Sequence, residues 1–302
     1  MTAGPAFTQM TDEAFAALRA RPGFRRACEA AAAESVAQYR TLTPTQQWVT
    51  RDLGRAAISV TAAILHYSGE LTVQGLTAHS VRMDLSSPGR VNQVVRRAQE
   101  GGEFSVDDGP GLWTRRPARL GAGLRQALHE RGMVDMRAAL TLAPELSGVL
   151  DILDTHEGQV SALMWLAAVS STRRDLFTFS EKRPLNFFLD REAGMLVLFD
   201  LLSGQSPDRD RLLEAAPLSR YALSQRYGVS RAHINKLLAE SGHTDAVGDR
   251  VHFSEVLSEA VNAHFALIFQ HQLGAAQMLL EGWRYGPDQA GTLRQRAAIG
   301  AA

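Results

Sequence analysis

The stretch that decides the fold is Leu218–Ser241, which reads LSRYALSQRYGVSRAHINKLLAES. Apolar residues recur at helical spacing over Leu218–Tyr227, stop at the turn Gly228-Val229-Ser230, and resume over Arg231–Ser241. Ser230 is a good N-cap because its hydroxyl can accept a hydrogen bond from a free N–H of the first helical turn, and Gly242 ends the pattern. The sequence therefore predicts two helices joined by a three-residue turn.

A second window has the same layout earlier in the chain. Thr72–Asp84 is predicted as a helix, Leu85–Ser87 as a turn, and Pro88–Gln99 as a second helix. Ser87 is a suitable N-cap, and proline is favoured at the first helical position because its missing N–H would have no partner there. Both windows are helix-turn-helix signatures.

The two windows align at a constant offset, with Ser87 and Ser230 lying 143 positions apart. The same offset pairs Val91 with Ile234, Asn92 with Asn235, Val94 with Leu237, and Val95 with Leu238. Upstream, Ser68-Gly69 aligns with Ser203-Gly204 at an offset of 135, so the second copy has an insertion of 8 residues (143 − 135). We interpret the two windows as an internal duplication.

A β-hairpin is predicted after each window. The first combines Phe104–Val106, a turn at Asp107–Gly111, and a second strand at Leu112–Arg116. The second is shorter, with Ala246-Val247 turning at Gly248-Asp249 into Arg250–Phe253. Helix, turn, helix and hairpin is the element order of a winged helix.

These residues carry a resemblance to a known family. Leu71–Arg119, with its serine-capped helix, hairpin and basic run at Arg115–Arg119, resembles the winged helix of MarR-type regulators. Arg220–Ser241 is similar to bacterial winged helices of the MarR and GntR kind. Such regulators dimerise through helices outside the winged helix, so the resemblance implies a pseudo-dimer whose two halves share one chain.

Length and composition favour a globular chain with more than one domain. The chain has 302 residues, of which 45% are apolar and 21% charged, a mixture that can bury a large core. We expect a mostly α fold with small β-wings, in which two winged helix-turn-helix units are joined by a helical layer. Further helices are predicted at Phe24–Tyr39, Gln46–Tyr67, Arg119–His129, Leu146–Leu166, Leu189–Leu202 and Ser254–Leu280. The expected sections are an N-terminal helical segment (1–45), the first winged helix (46–140), a helical connector (141–188), the second winged helix with a long C-terminal helix (189–285), and a flexible tail (286–302).

Several protein classes are disfavoured. The longest apolar stretches, Ala56–Leu65 and Gly194–Leu202, are about ten residues long, whereas a spanning helix needs about 20. The N-terminus lacks the layout of a secretory signal, and Cys28 is the single cysteine, so we expect a cytoplasmic protein without disulfides. The formal net charge is zero, which argues against a polybasic tail but leaves local basic patches open.

The helix Pro88–Gln99 has a polar face suited to DNA. At about 100° per residue its valines form one buried stripe, so its polar residues point outward. Arginine can bridge the acceptors of guanine, asparagine or glutamine can bridge adenine, and a glycine at the helix N-terminus lets the backbone approach a phosphate. The candidate DNA contacts of this unit are Ser87, Gly89, Arg90, Asn92, Gln93, Arg96 and Arg97, together with Arg115 and Arg116 on the wing. The alternative interpretation is an ordinary solvated helix face.

The second unit has fewer side chains that can read bases. Ile234, Leu237, Leu238 and Ser241 are predicted to be buried, while Ala232, Lys236 and Ala239 point outward. The candidate DNA contacts are Ser230, Arg231, His233, Asn235, Lys236 and Arg250. The two units would then read different sequences, or one would read while the other mainly grips the backbone.

Other kinds of site are less well supported. Trp48, His66, Tyr67 and Trp165 are candidates for a small-molecule effector pocket, although aromatics at helical spacing are more often plain core. No His-x-x-x-His pair, phosphate loop, dinucleotide fingerprint or nucleophile elbow occurs, so we expect no metal, no cofactor and no enzyme. The small residues Gly121-Ala122-Gly123 are expected to allow close packing.

The sequence thus predicts a transcriptional regulator that binds double-stranded DNA at a promoter through two non-identical winged helices. We expect it to be a monomer that acts as a pseudo-dimer. Two alternatives stay open: a plasmid-type replication initiator, and a winged-helix scaffold that binds a protein partner and no DNA.

Overall fold

The computed structural model describes residues 7–172, 184–206 and 209–285. Within these ranges the chain is mostly helical with small antiparallel sheets, which confirms the predicted fold class at that level. The helices are α1 (Asp12–Arg19), α2 (Phe24–Thr41), α3 (Pro44–Thr50), α4 (Leu53–Tyr67), α5 (Val73–Arg82), α6 (Pro88–Glu100), α7 (Ala122–Leu140), α8 (Val149–Leu153), α9 (His156–Thr172), α10 (Asn186–Leu189), α11 (Gly194–Ser203), α12 (Arg220–Tyr227), α13 (Arg231–Ala239) and α14 (Glu255–Leu280). The strands are β1 (Phe104–Val106), β2 (Ala118–Leu120), β3 (Ala215–Pro217), β4 (Thr244–Val247) and β5 (Arg250–Phe253). The predicted tail at 286–302 and the connector residues 173–183 lie outside the described residues.

The two predicted helix pairs are present, each with its serine cap. The Ser87 hydroxyl accepts a hydrogen bond from the Arg90 amide (3.4 Å) at the start of α6, and the Ser230 hydroxyl accepts one from the His233 amide (3.0 Å) at the start of α13. Gly228 ends α12 with φ 61°, a left-handed conformation that glycine adopts without a steric penalty. We call α4–α6 with β1 and β2 the first unit, and α11–α13 with β3–β5 the second unit.

Three of the longer helices predicted from periodicity are broken in the structure. Gln46–Tyr67 forms α3 and α4, because Asp52 leaves the helical conformation and caps α4 by accepting a hydrogen bond from the Arg55 amide (2.9 Å). Leu146–Leu166 divides into α8 and α9, and Leu189–Leu202 is interrupted at Ala193, which has φ 61°. Apolar periodicity continues across these short breaks, so it does not reveal them.

The first hairpin differs from the prediction in its second strand. Its partner for β1 is β2, with Phe104 opposite Leu120, whereas the predicted strand at Leu112–Arg116 contains a short 3-10 helix at Trp113–Arg115. Ala118 and Leu120 are two residues apart, so they lie on the same face of the strand, and both are buried in the core. Leu112 and Trp113, in contrast, are exposed. The Arg119 position, predicted to open a helix, is consequently in β2, and α7 begins three residues later.

The second unit has a three-stranded antiparallel sheet in the order β3-β5-β4. Its hairpin turns at Gly248-Asp249, as predicted, and β4 begins earlier than expected, at Thr244. The first unit has a fragment of the same arrangement, because the Ala118 amide donates a hydrogen bond to the Leu71 carbonyl (2.8 Å) just before α5.

The two units are anchored to different cores. A smaller core, formed by the first unit together with Leu124 of α7, contains Ile58, Leu76 and Val91, each at most 1% exposed. The second unit belongs to a larger core that also includes residues of α1, α2 and α14, with Phe265 and Phe269 fully buried. None of the helices in the described ranges combines the length and apolar character needed to cross a bilayer.

Candidate nucleic-acid interface

Helix α6 presents the predicted polar face to solvent. Val91, Val94, Val95 and Ala98 are at most 4% exposed, which confirms the predicted buried stripe. The opposite face lines a cleft of about 650 Å³ that has Trp48 of α3 on its other side. The remaining residues around this cleft are Gly89, Asn92, Gln93, Arg96, Arg97 and Glu100.

Both ends of α6 are fixed against neighbouring elements. At its N-terminus Arg90 forms an ion pair with Asp52, the residue that caps α4. At its C-terminus Gly101 lies so close to α3 that an added Cβ would be 2.9 Å from Thr45 Cβ, nearer than side chains pack. The outward face of α6 is therefore held at a defined position relative to α3 and α4.

Some polar side chains of α6 form ion pairs within the protein and others do not. Arg90 is paired with Asp52, and Arg97 lies 3.5 Å from the Glu100 carboxylate. Asn92, Gln93 and Arg96 are exposed and make no hydrogen bond or ion pair with any described residue. These three side chains are thus the ones available to a ligand in the cleft.

Helix α13 confirms its predicted burial pattern but offers fewer uncommitted groups. Ile234, Leu237 and Leu238 are at most 1% exposed, and Ser241 is 8% exposed. Asn235 accepts a hydrogen bond from Arg220 Nε (2.5 Å), and His233 Nε2 donates one to the Glu192 carbonyl (2.8 Å). Two predicted base contacts are therefore engaged within the protein. Arg231 and Lys236 are exposed, and Lys236 Nζ is 3.8 Å from Glu240.

The predicted wing arginines have defined positions. Arg115 Nε donates to Gln74 Oε1 (2.9 Å), and Arg116 donates to the Gly111 carbonyl (3.0 Å), so both are directed by contacts within the first unit. Arg119, within the basic run noted in the sequence, projects from β2 and lies 3.4 Å from Asp107. The Arg250 side chain on β5 is exposed and has no ionic partner among the described residues.

A polar cluster that sequence reasoning missed joins the two units. The Glu192 carboxylate lies 3.1 Å from Arg51 and 3.0 Å from Arg55, both of the α3–α4 region. Arg51 also donates to the Tyr227 carbonyl (3.0 Å), and its own carbonyl accepts from the Ala193 amide (2.6 Å). We call these four contacts the inter-unit clip. No short motif marks it, because its members are far apart in the chain.

The clip lies between corresponding ends of α6 and α13. Arg90 and His233 are the third residues after the two capping serines, and each contacts the residues that precede the first helix of a unit. Arg90 pairs with Asp52, directly before α4, and His233 binds the carbonyl of Glu192, just before α11. The N-termini of α6 and α13 are therefore positioned on a common cluster in a pseudo-symmetric way.

Two buried tyrosines, Tyr39 and Tyr227, pack next to the inter-unit clip. The Tyr39 and Tyr227 rings lie 5.4 Å apart, and Tyr227 donates a hydrogen bond to Asp200 (3.0 Å). Burial raises the pKa of both hydroxyls, and the Asp200 charge raises that of Tyr227 further, so both stay neutral at physiological pH. Their contacts hold the end of α12 against α2.

Of the four residues predicted to form an effector pocket, Trp48 and Tyr67 pack against the smaller core, whereas Trp165 belongs to the larger one. Trp48 borders the α6 cleft with the Arg55 guanidinium 4.2 Å from its ring centroid, and Trp165 is buried in the larger core. His66 and Tyr67 have ring centroids 5.3 Å apart, and burial and the Arg125 charge lower the pKa of His66. Neither of the two clefts on the α6 face includes His66, Tyr67 or Trp165.

Other predicted features have simple structural roles. Gly121 and Gly123 allow a close approach to Glu103, whose buried carboxylate accepts hydrogen bonds from Gln46 and from the Leu124 amide at the start of α7 (2.6 Å each). The described part of the chain holds no group of three or more metal-ligating side chains. Burial raises the pKa of the Cys28 thiol.

Comparison with known proteins adds nothing to this geometry, because no protein family, curated protein or solved structure matches the chain.

Proposed function

We propose that this chain is a sequence-specific regulator of transcription that binds double-stranded DNA through two non-identical winged helices. The observation that carries the proposal is the outward face of α6, where Asn92, Gln93 and Arg96 are exposed and uncommitted on a helix fixed at both ends. These are the side chains that make bidentate contacts with adenine and guanine in the major groove. A fixed helix also loses little conformational entropy when it docks.

The elements around α6 support the same function. A capped second helix followed by an antiparallel hairpin is the arrangement in which the second helix reads the major groove. Arg115 and Arg116 lie on that hairpin and suit contacts with the sugar-phosphate backbone or the minor groove.

The second unit is suited to binding the DNA backbone. Its exposed cations, Arg231, Lys236 and Arg250, suit phosphate contacts, while His233 and Asn235 are engaged within the protein. We therefore propose that the first unit supplies most of the sequence preference and the second unit mainly binds the backbone. We propose that the protein is a cytoplasmic monomer that acts as a pseudo-dimer. It would regulate transcription by blocking a promoter or by recruiting other factors to it, and it would have no catalytic role.

Selection of bound sequences from a random duplex pool tests the proposal. The parent should enrich a defined site, and its affinity should fall with salt along a logarithmic slope that corresponds to roughly 4 to 8 phosphates. Arg96→Ala should weaken binding and relax the preference at one position, whereas Arg26→Ala, an exposed arginine on α2, is the matched control and should change neither. The absence of any duplex binding at low salt would favour the protein-interaction scaffold instead.

A further inference from the structure

The tip of the first hairpin exposes two adjacent large apolar side chains. Leu112 is 65% exposed and Trp113 is 42% exposed, in the segment between β1 and β2. Single exposed apolar residues are ordinary on protein surfaces, but an adjacent leucine and tryptophan leave a large apolar area in water at one point. An apolar surface of this kind is a candidate for burial in a complex.

The tip is held in place by hydrogen bonds on either side of this pair. Arg116 donates to the Gly111 carbonyl (3.0 Å), which closes the loop across Leu112 and Trp113, and Arg115 ties the loop to Gln74 at the start of α5 (2.9 Å). Trp113 also begins the short 3-10 helix. The two apolar side chains are therefore presented outward on an ordered support.

The charge of the tip indicates the kind of partner. The segment between β1 and β2 has two arginines, Arg115 and Arg116, shortly after Trp113, and two acids, Asp107 and Asp108, at its start. The cations are therefore the charged residues nearest to the apolar pair in the sequence. Asp107, near the base of the hairpin, is 3.4 Å from Arg119. Proteins that kink DNA combine such cations with apolar wedges that enter the minor groove and partly unstack one base step.

We propose that Leu112 and Trp113 form an apolar wedge that enters the minor groove beside the site contacted by α6 and kinks the duplex there. The inference rests on the proposed function, because it assumes that α6 docks on duplex DNA. The second hairpin has a smaller apolar tip, with Val247 61% exposed next to the turn at Gly248, and we expect it to deform DNA less. The kink should therefore be asymmetric along the site.

Energy transfer between dyes at the two ends of the selected duplex measures the kink. The parent should bring the ends closer, and the double variant Leu112→Ala/Trp113→Ala should leave them at the distance found in free DNA. The parent should also bind about tenfold more tightly to a duplex that carries a mismatch at the wedge step, because the cost of unstacking has been removed in advance. The double variant should lack this preference.

Two controls keep the outcome clear. Leu280→Ala truncates an exposed leucine on α14, 41% exposed, and should bend DNA like the parent. Neither wedge residue belongs to the buried cores, so the double variant should still unfold cooperatively in a melting experiment. The fluorescence of Trp113 is obtained as the difference between the parent and Trp113→Phe. Acrylamide should quench this difference signal less when DNA is bound.

The wedge and the proposed function fail in different ways. If the parent binds its selected duplex without bending it, or if the double variant bends it equally, the wedge is refuted while DNA binding stands. If no duplex is bound at low salt, the proposed function itself is refuted. If the double substitution converts a dimer into a monomer and leaves bending unchanged, the pair serves self-association and the wedge is wrong.

Discussion

Removing the Glu192 carboxylate should make the distance between the first and second units less fixed. In the inter-unit clip this carboxylate is shared by Arg51 (3.1 Å) and Arg55 (3.0 Å). Glu192→Ala deletes both ion pairs. It leaves the bonds that use backbone atoms, namely His233 to the Glu192 carbonyl and Ala193 to the Arg51 carbonyl. The substitution therefore weakens the junction without removing it.

The structure bounds the effect on stability. The Arg55 side chain is 8% exposed and would keep only Asp52, at 3.8 Å, as an ionic partner, whereas Glu192 is 39% exposed and its site admits water. Breaking a buried pair costs about 3–5 kcal/mol and breaking an exposed pair at most about 1 kcal/mol. We expect the free energy of unfolding to fall by about 1–2 kcal/mol, between these limits and nearer the exposed one.

A series of DNA sites with altered spacers measures the effect on geometry. One inserted base pair shifts the second half-site by about 3.4 Å and rotates it by about 35°. With the clip intact, the parent should lose about tenfold or more in affinity on this insertion, about 1.4 kcal/mol. Glu192→Ala should lose about threefold or less, because the second unit can follow the displaced half-site.

Matched variants identify the cause. Glu192→Gln keeps an acceptor without the charge and should give an intermediate result, whereas Glu145→Ala removes an exposed carboxylate elsewhere and should match the parent. If Glu192→Ala lowers stability as expected but keeps the parent's dependence on spacer length, the clip does not set the spacing and our reasoning is refuted.

Three further predictions concern specificity, assembly and pH. Replacing Gln93 or Arg96 with alanine should cost about 1–3 kcal/mol in binding and relax one position of a non-palindromic or weakly palindromic site of roughly 20 base pairs, while Lys236→Ala should weaken all sequences similarly. Selection with each variant checks this, and a perfectly palindromic parent site would contradict it. Light scattering at micromolar concentration should report the monomer mass of 32.9 kDa, and twice that mass would contradict the pseudo-dimer. Burial lowers the pKa of both His264 and His271 from 6.5 to about 4, so the unfolded chain binds more protons between these values. Stability should therefore be complete above about pH 6.5 and decline as the pH falls toward 4, by roughly 4 kcal/mol at pH 5, about 2 kcal/mol for each histidine, in urea titrations. A constant urea midpoint would contradict this.

The helix pairs and their buried stripes were predictable from the sequence because the signals are local. A capping serine acts on an amide three residues away, and the stripe on α6 follows from helical geometry within one helix. The exposure of Asn92, Gln93 and Arg96 follows from the same geometry once the valines are buried. These residues carry the candidate site, so most of its chemistry could be inferred without a structure.

The strand β2 and the helix breaks depended on contacts with the rest of the chain. Leu112 and Trp113 have strand-forming character, yet β1 pairs with Ala118–Leu120 because those residues fit the core of the first unit. At Ala193 the helix is interrupted where its amide bonds to Arg51, a partner more than one hundred residues away. Local periodicity contains no information about such partners.

The sequence by itself determined the two capped helix pairs and the polar face of α6, since each follows from spacing along a few turns of chain. Only the tertiary structure decided which of the predicted side chains are available. It engaged Arg90 with Asp52 and His233 with the Glu192 carbonyl, and it placed Arg51 against the second unit. The physical reason is that ion pairs and hydrogen bonds depend on distance in space, and folding brings together groups whose separation in the sequence does not predict their contact.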